Sequence, residues 1–161
     1  MKAARNPAMA GSCILSLAYA SALLPTLALS PALAQDAALR RLVAQHANEH
    51  GVPMNFGHAV VMLESGYRPR IVHAGNYGLM QIRLGTARSM GFRGTPAQLV
   101  DPETNLRLGM RYLGRAWKLS NADHCRAIAL YRTGFASTRV DRHSRVYCAR
   151  ARVIMARQDR N

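Results

Sequence analysis

Helix punctuation recurs at short intervals along this chain, and it narrows the possible folds more than any other feature. Thr95-Pro96 and Asp101-Pro102-Glu103 each set a capping side chain before a proline at the first helical position, where its missing N–H costs no hydrogen bond. Asp123 and Asp141 are capping residues for two more helices, while Gly51, Gly91 and Gly134 stand at helix stops. Leu39, Leu42, Val43, His46, Ala47 and His50 recur at spacings of three and four. This predicts an amphipathic helix over 36–50, ending at Gly51 ahead of Pro53. Helices are predicted also over 55–65, over 86–90, from 96, over 102–118, over 123–131 and over 141–155. Alternating apolar and polar runs of strand length are scarce, so the expected fold class is all-α. A chain of 161 residues, 49% hydrophobic and 19% charged, folds around one core, and no repeat or second domain is visible.

The first 34 residues have a different character. Lys2 and Arg5 form a basic head, an apolar stretch runs from Cys13 to Leu24, and Pro25, Pro31 and Ala32-Leu33-Ala34 close it. That is the layout of an export signal, with cleavage expected before Gln35 and residues 35–161 left as the working domain. An uncleaved anchor over 13–34 is the alternative. On either reading the domain is expected outside the cytoplasm, in the periplasm or cell envelope. Cys13 would leave with the signal, so Cys125 and Cys148 remain, and an oxidising compartment favours a disulfide between them. By chain entropy such a staple contributes roughly 3 kcal/mol. Two buried free thiols are the alternative.

Lys and Arg number 22 against 8 Asp and Glu, a formal charge of +14, and only Lys2 and Lys118 are lysines. Anionic polymers are therefore suitable partners. The most informative acid is Glu64. It follows Ala59-Val60-Val61-Met62-Leu63, five apolar residues that cover most of a helix circumference, so its carboxyl emerges where water is scarce. Burial raises a carboxyl's pKa, and an acid still protonated near neutral pH can give a proton to a leaving oxygen and take one back, as glycosidic cleavage requires. Read alone, Glu64 also fits a helix-end residue paired with an arginine.

Its neighbours carry a resemblance. Glu64-Ser65-Gly66-Tyr67, then Pro69, then Gly75-Asn76-Tyr77-Gly78-Leu79-Met80-Gln81-Ile82 and Thr86-Ala87 resemble the Glu-Ser and Gly-Leu-Met-Gln motifs of the soluble lytic transglycosylase family. That family is goose-type-lysozyme-like and similar to glycoside hydrolase family 23. Asn105-Leu106, Gly109 and Tyr112-Leu113 are similar to its third motif, and Ala127, Ala129, Tyr131 and Gly134 to its fourth, in the same order over about residues 40–150. The resemblance implies a lysozyme-like helical domain with a substrate cleft that cuts the β-1,4 bond between N-acetylmuramic acid and N-acetylglucosamine in peptidoglycan. It implies that Glu64 protonates the glycosidic oxygen, that the substrate's acetamido oxygen stabilises the cationic carbon, and that the same carboxylate then takes the C6 hydroxyl proton, leaving a 1,6-anhydro end. No cofactor is implied.

The resemblance also assigns roles. Tyr131 would hold the Glu64 carboxyl by a phenol hydrogen bond, and Ser65 would fix the glutamate or cap its helix. Gln81 would bind the substrate acetamido group, Gly78 would admit the sugar to the backbone, and Met80 would line the cleft or fill the core. Asn105 would steady the motif loops. The chain departs from the family pattern at His73, where serine is common, at Arg83, where methionine is usual, and at Arg132, where asparagine follows the tyrosine. Arg83 and Arg132 are candidate partners for carboxylates on the lactyl or peptide arms of the glycan, or else solvated surface arginines.

The remaining acids have other uses. Asp101 and Asp123 cap helices, Glu103 sits in a first turn, and Asp36, Asp141 and Asp159 have polar surroundings, which favours a one-carboxylate scheme over the paired carboxylates of ordinary glycosidases. His46-Ala47-Asn48-Glu49-His50 has the His-x-x-Glu-His spacing of a zinc site, but the two histidines lie on the apolar stripe and no third ligand is indicated downstream, so no metal is expected. Arg142, Arg145, Arg150, Arg152, Arg157 and Arg160 lack interleaved aromatics, and with export expected, nucleic acid is not a partner. The expected substrate and partner is the peptidoglycan glycan strand, with a monomeric enzyme and an envelope-spanning secretion or flagellar complex as a further partner. The alternatives are a non-catalytic peptidoglycan-binding or envelope-assembly protein on the same fold, and a hydrolytic muramidase.

Overall fold

The computed structural model describes residues 31–160. Seven helices and a small sheet follow in order: α1 (Pro31–Glu49), α2 (Met54–Ser65), β1 (Val72–His73), β2 (Asn76–Tyr77), β3 (Ile82–Arg83), α3 (Leu84–Ser89), α4 (Pro96–Leu99), α5 (Pro102–Leu119), α6 (His124–Thr133) and α7 (Arg142–Gln158). The expected all-α class holds, with seven helices and only three two-residue strands among the described residues. Residues 1–30, most of the expected export signal, lie outside the described residues. No helix among the described residues is long and apolar enough to cross a membrane.

The caps form where the sequence puts them. Thr95 closes a full capping box with Gln98, and Asp101, Asp123 and Asp141 accept hydrogen bonds from the backbone N–H groups of Thr104, Arg126 and Ser144. Each cap contributes about 1 kcal/mol. α5 is the central element. It buries Leu106, Leu108, Met110, Leu113 and Ala116 while Arg107, Arg111, Arg115 and Lys118 stay outside, and it packs against both α1 and α6. α7 lies against α2 and α6, tied to α6 by the Cys125–Cys148 disulfide, whose Cα atoms are 5.1 Å apart.

Two departures from expectation stand out. α1 begins at Pro31 rather than near residue 36, because Ala32, Leu33 and Ala34 are good helix formers and proline suits a first turn. Between α2 and α3 lies an antiparallel sheet of three two-residue strands, with Val72 opposite Tyr77 and Tyr77 opposite Ile82. Strands so short have no alternation to read; turns set their register. The sheet puts His73, Asn76, Gln81 and Arg83 along one side of the cleft described next.

Candidate functional site

A cleft of about 570 Å³ runs between this sheet and the helices, lined by Glu64 from α2, by His73, Asn76, Gln81 and Arg83 from the sheet region, by Tyr112 from α5 and by Tyr131 and Arg132 from α6. Glu64 is its only acid among the described residues. A second cavity of about 510 Å³, between the start of α1 and the loop after α2, has Asp36 as its only acid. Asp36 is exposed and paired with Arg40 at 2.9 Å, which leaves Glu64 as the stronger candidate.

Glu64 is the penultimate residue of α2, whose Phe56, Ala59, Val60 and Val61 are buried, so the helix is anchored and its end opens into the cleft. Gly66 then adopts φ 57°, a left-handed turn that stops the helix, and its N–H bonds the Met62 carbonyl. Burial raises the carboxyl's pKa above the ordinary glutamate value, while a hydrogen bond from Tyr147 and the charge of Arg132 pull it partly back. The carboxyl therefore holds its proton at a higher pH than a solvated glutamate, yet remains able to ionise.

The hydrogen bond expected from Tyr131 comes instead from Tyr147 of α7, whose hydroxyl donates to Glu64 Oε1 at 2.9 Å. Tyr131 donates to the Met80 carbonyl at 2.6 Å. The reason is position: α7 packs directly on α2, whereas α6 meets the turn that carries Met80. Burial holds both phenols well above their usual pKa, and the Glu64 charge pushes the same way, so both are donors at any working pH. Tyr147 is a partner of the candidate acid that the sequence motifs do not mark. Its signal was an inward position on α7, one residue from buried Cys148, where a buried phenol needs a partner.

Ser65 does not touch the carboxyl; its buried hydroxyl bonds back to the Val61 carbonyl at 3.1 Å. Met80 is fully buried in the core and lines no part of the cleft. A Cβ on Gly109 would lie 2.7 Å from Met80 Cβ, so the glycine exists to admit that side chain. Gly78 likewise does not line the cleft. It is buried at φ 71°, and a Cβ there would lie 2.5 Å from Asn105 Nδ2, so its bareness serves the asparagine. Asn105, fully buried, accepts from the Met80 N–H at 2.8 Å and donates to the carbonyls of Tyr77 and Leu99 at 2.8 Å each. It steadies the loop, as expected.

Gln81 does line the cleft. It holds φ 46°, a left-handed conformation that is costly for a side chain with a Cβ, and its Nε2 donates to the Gly78 and Ile71 carbonyls at 2.9 and 3.3 Å. The amide's donor end is thus spent on the loop and its carbonyl oxygen is left for a ligand. His73 and Arg83 are exposed along the same wall. Arg132 sits opposite, its guanidinium 3.1 Å from Ser144 Oγ, 3.6 Å from Asp141 Oδ1 and over the Tyr147 ring at 5.8 Å. All three departures from the family pattern therefore face the cleft.

A family model described as the transglycosylase SLT domain matches residues 41–147. The soluble lytic murein transglycosylase of Escherichia coli is 30% identical over 100 residues, 58% of this chain and 16% of that protein. The endo-type membrane-bound lytic murein transglycosylase A of Cronobacter sakazakii is 39% identical over 74 residues, 41% of this chain and 36% of its own length. The chain thus spans about a sixth to about a third of these relatives. Among solved structures, the 70-kDa soluble lytic transglycosylase in complex with bulgecin A superposes with a TM-score of 0.57 at 25% identity, over 75% of this chain and 21% of that one. An inactive mutant of the lytic transglycosylase Slt from Pseudomonas aeruginosa gives 0.61 at 22% identity, over 74% and 24%. From the match across residues 41–147, the chain belongs to the transglycosylase SLT domain family.

Proposed function

We propose that this protein is a murein lytic transglycosylase that cleaves the β-1,4 bond between N-acetylmuramic acid and N-acetylglucosamine and leaves a 1,6-anhydromuramyl end. The observation that carries the reading is a single acid, with raised pKa, in a cleft that has no second carboxylate among the described residues. Hydrolysis by paired carboxylates needs a partner within about 5–9.5 Å across the scissile bond. Here Asp101, Asp123 and Asp141 are caps, Asp36 pairs with Arg40, and Asp159 accepts from Asn55. Glu49 and Glu103 face His46, so in the proposed scheme one group serves twice.

Glu64 gives its proton to the glycosidic oxygen as the bond to C1 breaks, and the substrate's own acetamido oxygen closes on C1. The carboxylate, now charged and favoured by Tyr147 and Arg132, removes the C6 hydroxyl proton, and O6 displaces the acetamido oxygen. The proton returns to Glu64 and no water is consumed. The Gln81 carbonyl is suited to accept the acetamido N–H, and Arg83 and Arg132 are suited to pair with lactyl or peptide carboxylates of the glycan. We place the enzyme in the cell envelope, with peptidoglycan strands as its substrate and partner.

Digestion of purified sacculi, with the fragments weighed by mass spectrometry, tests this. Anhydro ends from the wild type and loss of at least about a thousandfold in rate from Glu64→Gln are expected. Fragments heavier by one water would make the protein a muramidase. The cleft-facing replacements at positions 73, 83 and 132 favour one other reading, a non-catalytic binder; attachment to sacculi without turnover at any pH would select it.

A further inference from the structure

The His-x-x-Glu-His run at the end of α1 has no part in the chemistry above, and none of its side chains lines the cleft. In the sequence it lacks a third ligand downstream, but a metal site can be completed within one helical turn if the turn is buried and oriented from elsewhere. Folding supplies both conditions. His46, Glu49 and His50 lie on one face of α1 and the turn after it, and one ligand atom from each falls within 4.8 Å of the others. His46 is 2% exposed, with Nδ1 2.8 Å from Glu49 Oε2. Its opposite nitrogen, Nε2, lies 2.9 Å from Glu103 Oε1 in the first turn of α5, 54 residues beyond Glu49, but out of line for a hydrogen bond. Nε2 of His50 is buried with no partner.

His46 Nε2 has Glu103 beside it, but the buried His50 Nε2 has no partner at all and calls for an explanation, of which a bound ion is a common one. We propose that His46 Nδ1, Glu49 and His50 Nε2 form a site for a single divalent transition cation, zinc by ligand type, with Glu103 as the carboxylate behind His46. Two imidazoles and a carboxylate suit zinc, water completes four-coordination, and a carboxylate behind a ligating histidine fixes its tautomer and strengthens it as a donor. Coordination through Nδ1 leaves the Nε2–H of His46 to face Glu103. Glu49 and Glu103 together offset the charge of the ion. Because Glu103 belongs to α5, the ion clamps the end of α1 onto the central helix. None of the three ligands lines the cleft that holds Glu64, so the site is separate from it.

The test is calorimetric titration of chelator-stripped protein with Zn²⁺, repeated with His50→Ala, Glu49→Gln and Glu103→Gln, with circular dichroism of each variant. One zinc per chain is expected for the wild type. Glu103→Gln should weaken it about 10- to 100-fold and the two ligand variants by more. Substitution by Co²⁺ should give the visible bands of four- or five-coordinate nitrogen and oxygen ligation. Absence of uptake by the wild type, or equal affinity in wild type and Glu49→Gln, whose side chain is half exposed and whose loss the fold should tolerate, overturns the proposal and leaves His46 as an ion-paired core histidine.

Discussion

Glu64 is useful because opposing influences act on it at once: burial favours the protonated form, while the Tyr147 hydroxyl and the Arg132 charge favour the ionised one. The sign of a test follows. Tyr147→Phe removes a hydrogen bond that stabilises the carboxylate, so the pKa rises further and the high-pH limb of sacculus cleavage should move up by about one unit, the equivalent of about 1.4 kcal/mol. The maximal rate should fall, since the ionised form is harder to reach for the second proton transfer. Tyr131→Phe should act differently. It leaves the Met80 carbonyl without its donor, so thermal unfolding should show a loss of about 1 kcal/mol with a smaller change in the pH–rate profile. Glu64 was legible in the sequence because five apolar residues precede it. Which tyrosine reaches it was not, because 83 residues separate Tyr147 from Glu64.

Elements divide the same way. Capped helices were readable since Thr95, Asp101, Asp123 and Asp141 each act within three residues of themselves, and the capping hydrogen bonds follow. The three-stranded sheet was not, since its register depends on turns and on a side chain from another element. That side chain is Asn105, at the start of α5, with three hydrogen bonds into the loop that ends at Gln81 and into the end of α4. Asn105→Ala would leave one N–H and two carbonyls unmet in a buried place. A stability loss of about 3 kcal/mol or more is expected in denaturant unfolding, well above the effect of a surface asparagine. If the protein still folds, activity should fall with it, because Gln81 is held by the same loop.

At the scale of the molecule, the excess of arginine is spread along exposed faces, with no acidic residue anywhere in α7. Attraction to anionic envelope polymers should therefore be general rather than local. Retention on isolated sacculi should weaken steadily as salt rises past about 0.15 M, where exposed charges are screened beyond about 8 Å, while cleavage of short soluble fragments should change much less. Co-sedimentation across a salt series measures the difference. Class, caps, charge and the choice of Glu64 as candidate acid were properties of the sequence alone, since each rests on composition or on residues a few positions apart, where the backbone fixes who meets whom. The tertiary structure alone decided that Tyr147 rather than Tyr131 holds the carboxyl, that Gly78 makes room for Asn105, and that Glu103 stands behind His46. Each of those pairs joins distant segments, and only the packing of helix on helix brings such atoms within hydrogen-bonding or ion-pair reach.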